Sequence, residues 1–232
     1  MKDQLRSPLK WPTARDIQSI KQTMILNQKI RAVVFDCDGV MFDSRQANIH
    51  YYNQMLRHFD LPPMTGAAVD FVHSHTANES IQHIFQGTPY QDEALAYRWE
   101  VDYTPFIQDM IMEPGLKELL EWLKPRFGLA VATNRSNTIG EVLKTHGLTG
   151  FFNLVVSSLD VEQSKPHPES LFKILDYFQL GPERILYVGD SSVDEETARR
   201  AGVRLIAYKN RALEAYRHAE TMLEIKDLLN HL

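Results

Sequence analysis

The chain has 232 residues, 44% of them hydrophobic and 24% charged, enough to bury a core and to hold one domain with an insertion. A formal net charge of −5 gives no electrostatic basis for holding nucleic acid or an anionic membrane, and no apolar run is long enough to cross a bilayer. The single cysteine, Cys37, excludes an internal disulfide, and the charged early residues Lys2, Asp3, Arg6 and Lys10 leave no apolar signal core, so the expected location is cytoplasmic.

Residues 1–29 read as an extension ahead of the first strand. Thr13 has the chemistry of a helix N-cap with Asp16 near the positive end, and Ile17, Ile20, Met24 and Ile25 fall near one helical face. This predicts a helix packed on the core. Next, the apolar run Val33-Val34-Phe35 ends in Asp36-Cys37-Asp38-Gly39-Val40, with two aspartates one residue apart. Buried unpaired carboxylates are expensive, so two of them at a strand's carboxyl end predict a cation between them. Open α/β sheets hold their ligands at those strand ends. Strand alternation points Cys37 the other way, into the core, as a small apolar residue.

From about Arg45 to Met112 the periodicity is helical. Tyr51, Met55, Leu56 and Phe59 suit one amphipathic helix, Ile81, Ile84 and Phe85 a second, and Leu95, Trp99, Tyr103 and Phe106 further ones. Leu61-Pro62-Pro63 and Gly87-Thr88-Pro89 punctuate them. Beyond this stretch strand and helix alternate. Strands are predicted near Gly128–Thr133, Leu154–Ser157, Ile185–Gly189 and Arg204–Tyr208, with helices near Asn137–His146, Glu169–Phe178 and Asp194–Ala201 between them. Such alternation predicts an α/β fold with a Rossmann-like parallel sheet covered by helices on both faces. A weak strand near Met222-Leu223 and a last helix near Lys226–Leu232 complete the expectation.

Four segments in order carry a resemblance. Asp36-Cys37-Asp38-Gly39-Val40 followed by Asp43-Ser44, Thr133 after Leu129-Ala130-Val131-Ala132, Lys165 in Lys165-Pro166-His167-Pro168, and Gly189-Asp190-Ser191-Ser192-Val193-Asp194 after Ile185-Leu186-Tyr187-Val188 together resemble the motifs of the haloacid dehalogenase-like hydrolase superfamily. The likeness is to its helical-cap phosphatase branch, with phosphoglycolate phosphatase and β-phosphoglucomutase. It implies a catalytic core of residues 30–44 and 113–232 and an inserted all-helical cap of residues 45–112.

The resemblance also implies chemistry. Asp36 would attack a phosphomonoester and form an aspartyl-phosphate, while Asp38 would protonate the leaving alcohol and then activate water. Mg²⁺, a hard cation that suits oxygen ligands, would be held by Asp36, the backbone carbonyl of Asp38 and Asp190, with Asp194 near it directly or through water. A helix N-cap is the plainer reading of Asp194, and both roles can coexist. Thr133, the backbone of Asn134 and the tight turn at Gly39 would face phosphoryl oxygens, and Lys165 would supply positive charge. Arg45, His73, His75 and Asn78 are the candidates for substrate contacts from the cap. His73, His75 and His83 make a poor zinc set, lacking a clear fourth ligand.

The competing readings separate on residues. Asp38 argues against dehalogenation, and a cap without lysine argues against Schiff-base chemistry. A phosphosugar mutase shares Asp36 and Asp38, but the cap has only Arg45, Arg57 and Arg98 against eight acidic residues, a poor balance for a second phosphate. A catalytically idle binding protein is expected to have lost one of the four motif groups, and none is missing. The expected function is a Mg²⁺-dependent phosphatase acting on a small phosphorylated metabolite. Oligomeric state is not legible.

Overall fold

In the computed structural model, which describes residues 29–231, the chain runs β1 (Ala32–Phe35), β2 (Phe42–Asp43), α1 (Arg45–His58), α2 (Gly66–Ser74), α3 (Ala77–Ile84), α4 (Gln91–Tyr97), α5 (Thr104–Ile107), β3 (Ile111–Met112), α6 (Leu116–Leu123), β4 (Gly128–Ala132), α7 (Ile139–Thr145), β5 (Leu154–Val156), α8 (Glu169–Phe178), β6 (Ile185–Gly189), α9 (Ser192–Ala201), β7 (Arg204–Tyr208), β8 (Arg217–Ala219) and α10 (Met222–Asn230). The helix expected over Thr13–Ile25 lies outside the described residues.

Six strands form one parallel sheet in the order β5-β4-β1-β6-β7-β8. Period-two alternation sorts each central strand between two cores. Val33, Phe35, Leu129, Val131, Leu186, Val188, Ile206 and Tyr208 face one side, where α6, α7 and α10 contribute Leu120, Val142 and Ile225. Ala32, Val34, Ala130, Ala132, Ile185, Tyr187, Leu205 and Ala207 face the other, where α8 and α9 contribute Leu171, Ile174 and Ala198. The expected Rossmann-like sheet with helices on both faces is therefore present. Because β1 pairs with β4 on one edge and β6 on the other, the strand order reverses at β1. This is the switch point at which such sheets open a crevice.

The helical cap, α1 to α5, is inserted between β2 and β3, which pair antiparallel so that the chain leaves and re-enters the sheet side by side. Glu113, next after β3, is tied to the core: its carboxylate accepts from the Tyr208 hydroxyl at 2.9 Å and from Lys209 Nζ at 2.7 Å.

Four elements differ from expectation. Met222 and Leu223 do not form a strand but open α10, because the Thr221 side chain accepts from the Glu224 backbone N–H as a helix cap. The strand near this end is β8, whose sequence Arg217-His218-Ala219 carries no apolar run. Helix α6 was not anticipated, although Leu116, Leu119, Leu120 and Leu123 bury one face at helical spacing. Helix α9 starts two residues before Asp194, with Ser191 as its cap and Asp194 in the third helical position.

No helix among the described residues is long and apolar enough to span a membrane.

Candidate active site

The carboxyl ends of β1, β6 and β4 deliver Asp36, Asp190 and Thr133 to one crevice, and the loop between β5 and α8 delivers Lys165. These residues line a cavity of about 310 Å³ whose opposite wall comes from the cap, through Tyr51, Tyr52, His73, His75, Arg98 and Tyr103. Carboxylate oxygens of Asp36, Asp190 and Asp194 lie within 4.8 Å of one another. Two glycines make this approach possible. Gly39 sits at φ +81°, and a side chain there would run into the Asp190 carboxylate; one at Gly189 would run into Asp194.

Lys165 is the hub. It is 4% exposed, and its Nζ lies 2.8 Å from Asp36 Oδ1, 2.7 Å from Asp194 Oδ1 and 2.9 Å from the Tyr187 hydroxyl. The Tyr187 hydroxyl in turn donates to Asp194 Oδ1 at 2.5 Å. The other Asp194 oxygen accepts from the Ser191 hydroxyl at 2.6 Å and, at longer range, from the Ser191 and Asp190 backbone N–H groups. Both oxygens of Asp194 are thus engaged by protein donors. A buried ammonium with two carboxylates meets the condition under which burying charge is tolerable.

The charges follow from this arrangement. Burial pushes the Asp36 carboxyl up to about 7, Lys165 pulling against it and Asp194 adding to it. Burial, then the charges of Asp194 and Asp36, push Asp190 up to about 8. Burial also disfavours the Asp194 anion, but Lys165 overrides it and holds that carboxyl below its usual range. Lys165 is held above the usual lysine range by Asp194 and Asp36 against the cost of its burial. Crowded acids with raised values are what a site for a divalent cation looks like without the ion. The donors are all carboxylate oxygens, which fits a hard cation such as Mg²⁺ rather than zinc.

Asp38 has a different partner. Arg135 reaches its Oδ1 with Nη2 at 2.7 Å and Nε at 3.1 Å, and the Ser44 hydroxyl donates to the same oxygen. Burial works against the Asp38 anion, yet Arg135 keeps it below the usual carboxylate range. Arg135 also donates to the Tyr103 hydroxyl of the cap at 3.1 Å.

The remaining expected residues divide. Thr133 Oγ1 accepts from the Arg135 backbone N–H at 3.0 Å. The Asn134 side chain accepts from the Lys165 N–H and donates to the Lys165 carbonyl, both at 3.1 Å, so it positions the lysine loop. It also reaches the Ser74 carbonyl of the cap at 3.4 Å. His73 and His75 line the cavity, and His73 Nδ1 is buried with no hydrogen-bond partner among the described residues. Asn78 is exposed and is not among the lining residues; Arg45 is likewise outside, pairing on the surface with Asp70 at 2.6 Å. Cys37 is buried in the core, as its alternation predicts.

Arg135, Ser44, Tyr187, Tyr103 and Arg98 were not anticipated. Tyr187 had a signal: a tyrosine within an aliphatic strand must find a partner for its hydroxyl when buried. Arg135 had a fainter one, standing two residues past a strand that ends in the crevice. Nothing local marked Tyr103 or Arg98.

Comparison with known proteins agrees with this geometry. The sequence profile of haloacid dehalogenase-like hydrolases matches residues 33–208. Pyrophosphatase PpaX of Bacillus mycoides is 28% identical over 87% of this chain and 96% of its own length. Phosphoglycolate phosphatase of Pseudomonas putida is 26% identical over 76% of this chain and 68% of its own. A crystal structure of a subfamily IA hydrolase of this superfamily from Geobacter sulfurreducens is 39% identical and superposes with a TM-score of 0.73, covering 88% of this chain and 98% of that one. With the profile spanning the sheet from β1 to β7 and all four motifs gathered at its carboxyl edge, the chain belongs to the haloacid dehalogenase-like hydrolase family.

Proposed function

We propose that the protein is a Mg²⁺-dependent phosphatase that hydrolyses a small phosphorylated metabolite through an aspartyl-phosphate on Asp36. The observation that carries this reading is the convergence of Asp36, Asp190 and Asp194 within 4.8 Å, with Lys165 on Asp36, at the floor of a cavity large enough for a small molecule. Asp36, Asp190 and the backbone carbonyl of Asp38 would hold the cation, whose contribution is to neutralise phosphoryl charge that would otherwise repel a carboxylate nucleophile. Asp194, with both oxygens already bonded, acts by holding Lys165 and the turn after β6. Lys165 and Thr133 stabilise the charge that develops on the phosphoryl group.

Asp38 serves in both half-reactions. Arg135 keeps it an anion, the state suited to activating water in the second. In the first it must give a proton to the leaving group, so the substrate's arrival has to draw the guanidinium away, most simply onto a phosphoryl oxygen. The relatives named for pyrophosphate and phosphoglycolate hydrolysis support a phosphatase over a mutase. The division into a core of 30–44 and 113–232 and a cap of 45–112, moving about the β2–β3 crossing, is part of the same proposal.

The test uses p-nitrophenyl phosphate. Turnover is expected with Mg²⁺, loss with EDTA, and a drop of at least about 10⁴-fold in Asp36→Asn. Unchanged activity in a clean Asp36→Asn preparation refutes the nucleophile. Release of inorganic phosphate, rather than isomerisation of a sugar phosphate, separates the phosphatase from a mutase.

A further inference from the structure

Among the described residues, three permanently or normally cationic side chains line the cavity: Lys165, Arg135 and Arg98. Lys165 is matched by Asp36 and Asp194, and Arg135 by Asp38. Among the described residues Arg98 is matched by nothing. It is only 7% exposed, yet its guanidinium forms no ion pair and no hydrogen bond with any described residue. Its one direct partner is the Trp99 ring, 4.0 Å from Cζ, and a ring face satisfies none of the five N–H donors. Burial works against its charge, and the ionisable groups beside it are the phenols of Tyr51 and Tyr52, which are neutral at working pH.

The cavity-lining acids outside the cluster of Asp36, Asp38 and Asp190, namely Asp102 in the cap and Glu141 on α7, are engaged elsewhere. Asp102 Oδ1 accepts from the Thr104 N–H at 2.9 Å, and Glu141 pairs with Lys144 at 3.3 Å. An arginine does not shed its proton to escape such a position, so a largely buried guanidinium at the cavity wall, with no partner among the described residues, is a site made for an anion. Its place in the cavity indicates which anion. Arg135, on Asp38, donates to Tyr103; the Tyr103 ring packs on Tyr51 with centroids 5.1 Å apart; and Tyr51 adjoins Arg98. Arg98 is thus separated from the reacting end by a layer of tyrosines, on the side where the leaving group would extend.

We infer that Arg98 binds a second anionic group of the substrate, a carboxylate or a second phosphoryl group, carried on the leaving-group side of the phosphomonoester. This rests on the phosphatase reading of the same cavity. The count of cap charges pointed the other way, because it treated three arginines as equivalent; of the other two, Arg45 is spent on Asp70 at the surface and Arg57 is exposed.

The test is binding, which does not require turnover. Isothermal titration calorimetry in Mg²⁺ compares phosphonoacetate, 3-phosphonopropionate and 4-phosphonobutyrate with alkylphosphonates of the same length. Methylenediphosphonate forms the second arm and distinguishes a phosphoryl group from a carboxylate. The wild-type protein is expected to prefer at least one doubly anionic ligand by about 10- to 100-fold, the usual range for a charge-assisted, bidentate contact. Arg98→Met is expected to erase that preference, and Arg98→Lys to retain part of it. Absence of a preference at every length in the wild type overturns the inference, whether or not Arg98→Met folds. So does a preference that survives intact in a folded Arg98→Met protein. Failure of the wild type to hydrolyse p-nitrophenyl phosphate would instead overturn the phosphatase reading, and the ligand preference would still be measured.

Discussion

The two walls of the cavity are built on opposite principles. On the core wall, Lys165 is buried and matched to Asp194 and Tyr187, which are buried behind it, with Asp36 taking the remaining lysine contact. On the cap wall, the largely buried Arg98 has no ion-pair or hydrogen-bond partner among the described residues, and His73 Nδ1 is buried without one. A matched network fixes charge in place before any ligand arrives, which is what stabilising a developing phosphoryl charge requires. An unmatched wall costs stability and recovers it only when a ligand supplies the missing partner. The contrast teaches a division of labour: chemistry is preorganised by the sheet, and selectivity is held in reserve by the helices over it.

The largest expected effect comes from breaking the matched wall. Lys165→Met leaves Asp36 and Asp194 buried beside an apolar chain. Removing one partner of a buried ion pair typically costs about 3–5 kcal/mol. Urea unfolding of the metal-free variant should show a loss of that order, and phosphate release from p-nitrophenyl phosphate should fall about 10²- to 10³-fold. A variant as stable as the wild type would mean that the network is not a unit.

A second test titrates the metal acids. Asp36 and Asp190 have their folded values raised from 3.8 to about 7 and about 8, so the folded metal-free protein binds more protons than the unfolded chain between those limits. Stability is therefore fully present below about pH 4 for these two groups and is lost as pH rises through 7 and 8. The lowered values of Asp38 and Asp194 act in the opposite sense, but only as pH falls below the usual carboxylate range, outside this window. Metal-free protein should lose on the order of 2–4 kcal/mol between pH 5 and pH 8.5, with allowance for Asp190 being partly exposed. Adding Mg²⁺ at pH 8.5 should restore it. A flat profile by thermal unfolding, or no rescue by Mg²⁺, would remove the argument that Asp36 and Asp190 form a cation site.

What the sequence made legible follows the same line. Asp36, Lys165 and Asp190 stand at strand ends or in a short motif beside one, where an apolar run stopping at a charge is a local event visible in a few residues. The sheet itself was legible because short continuous apolar runs and punctuating glycines are local too, as Val33-Val34-Phe35 and Gly202 illustrate. Arg98 was visible as a basic residue but not as a buried one, since its burial depends on how α1 and the segment after α4 pack across some forty residues. The partnership of Arg135 with Asp38 spans 97 positions and no periodicity encodes it. Met222-Leu223 misled for the reverse reason: two apolar residues resemble a strand, while the deciding feature was the capping hydroxyl of Thr221 just before them.

The smallest effect sharpens the contrast most directly, because the same atom is removed from each wall. Tyr187→Phe deletes a hydroxyl that donates to Asp194 at 2.5 Å and accepts from Lys165 at 2.9 Å. A hydrogen bond to a charged group contributes about 1.5–3 kcal/mol, but Asp194 keeps its contact with Lys165, so a loss of about 1–2 kcal/mol is expected, with turnover reduced only several-fold. Tyr51→Phe deletes a hydroxyl with no hydrogen-bond partner among the described residues, and its ring contacts with Tyr52, Tyr103 and Phe106 remain. Its stability should stay within about 0.5 kcal/mol of the wild type. Paired denaturant titrations of the two variants read the difference. Equal losses would show that the cap wall is as fully bonded as the core wall, and the division between fixed chemistry and reserved selectivity would fall with it.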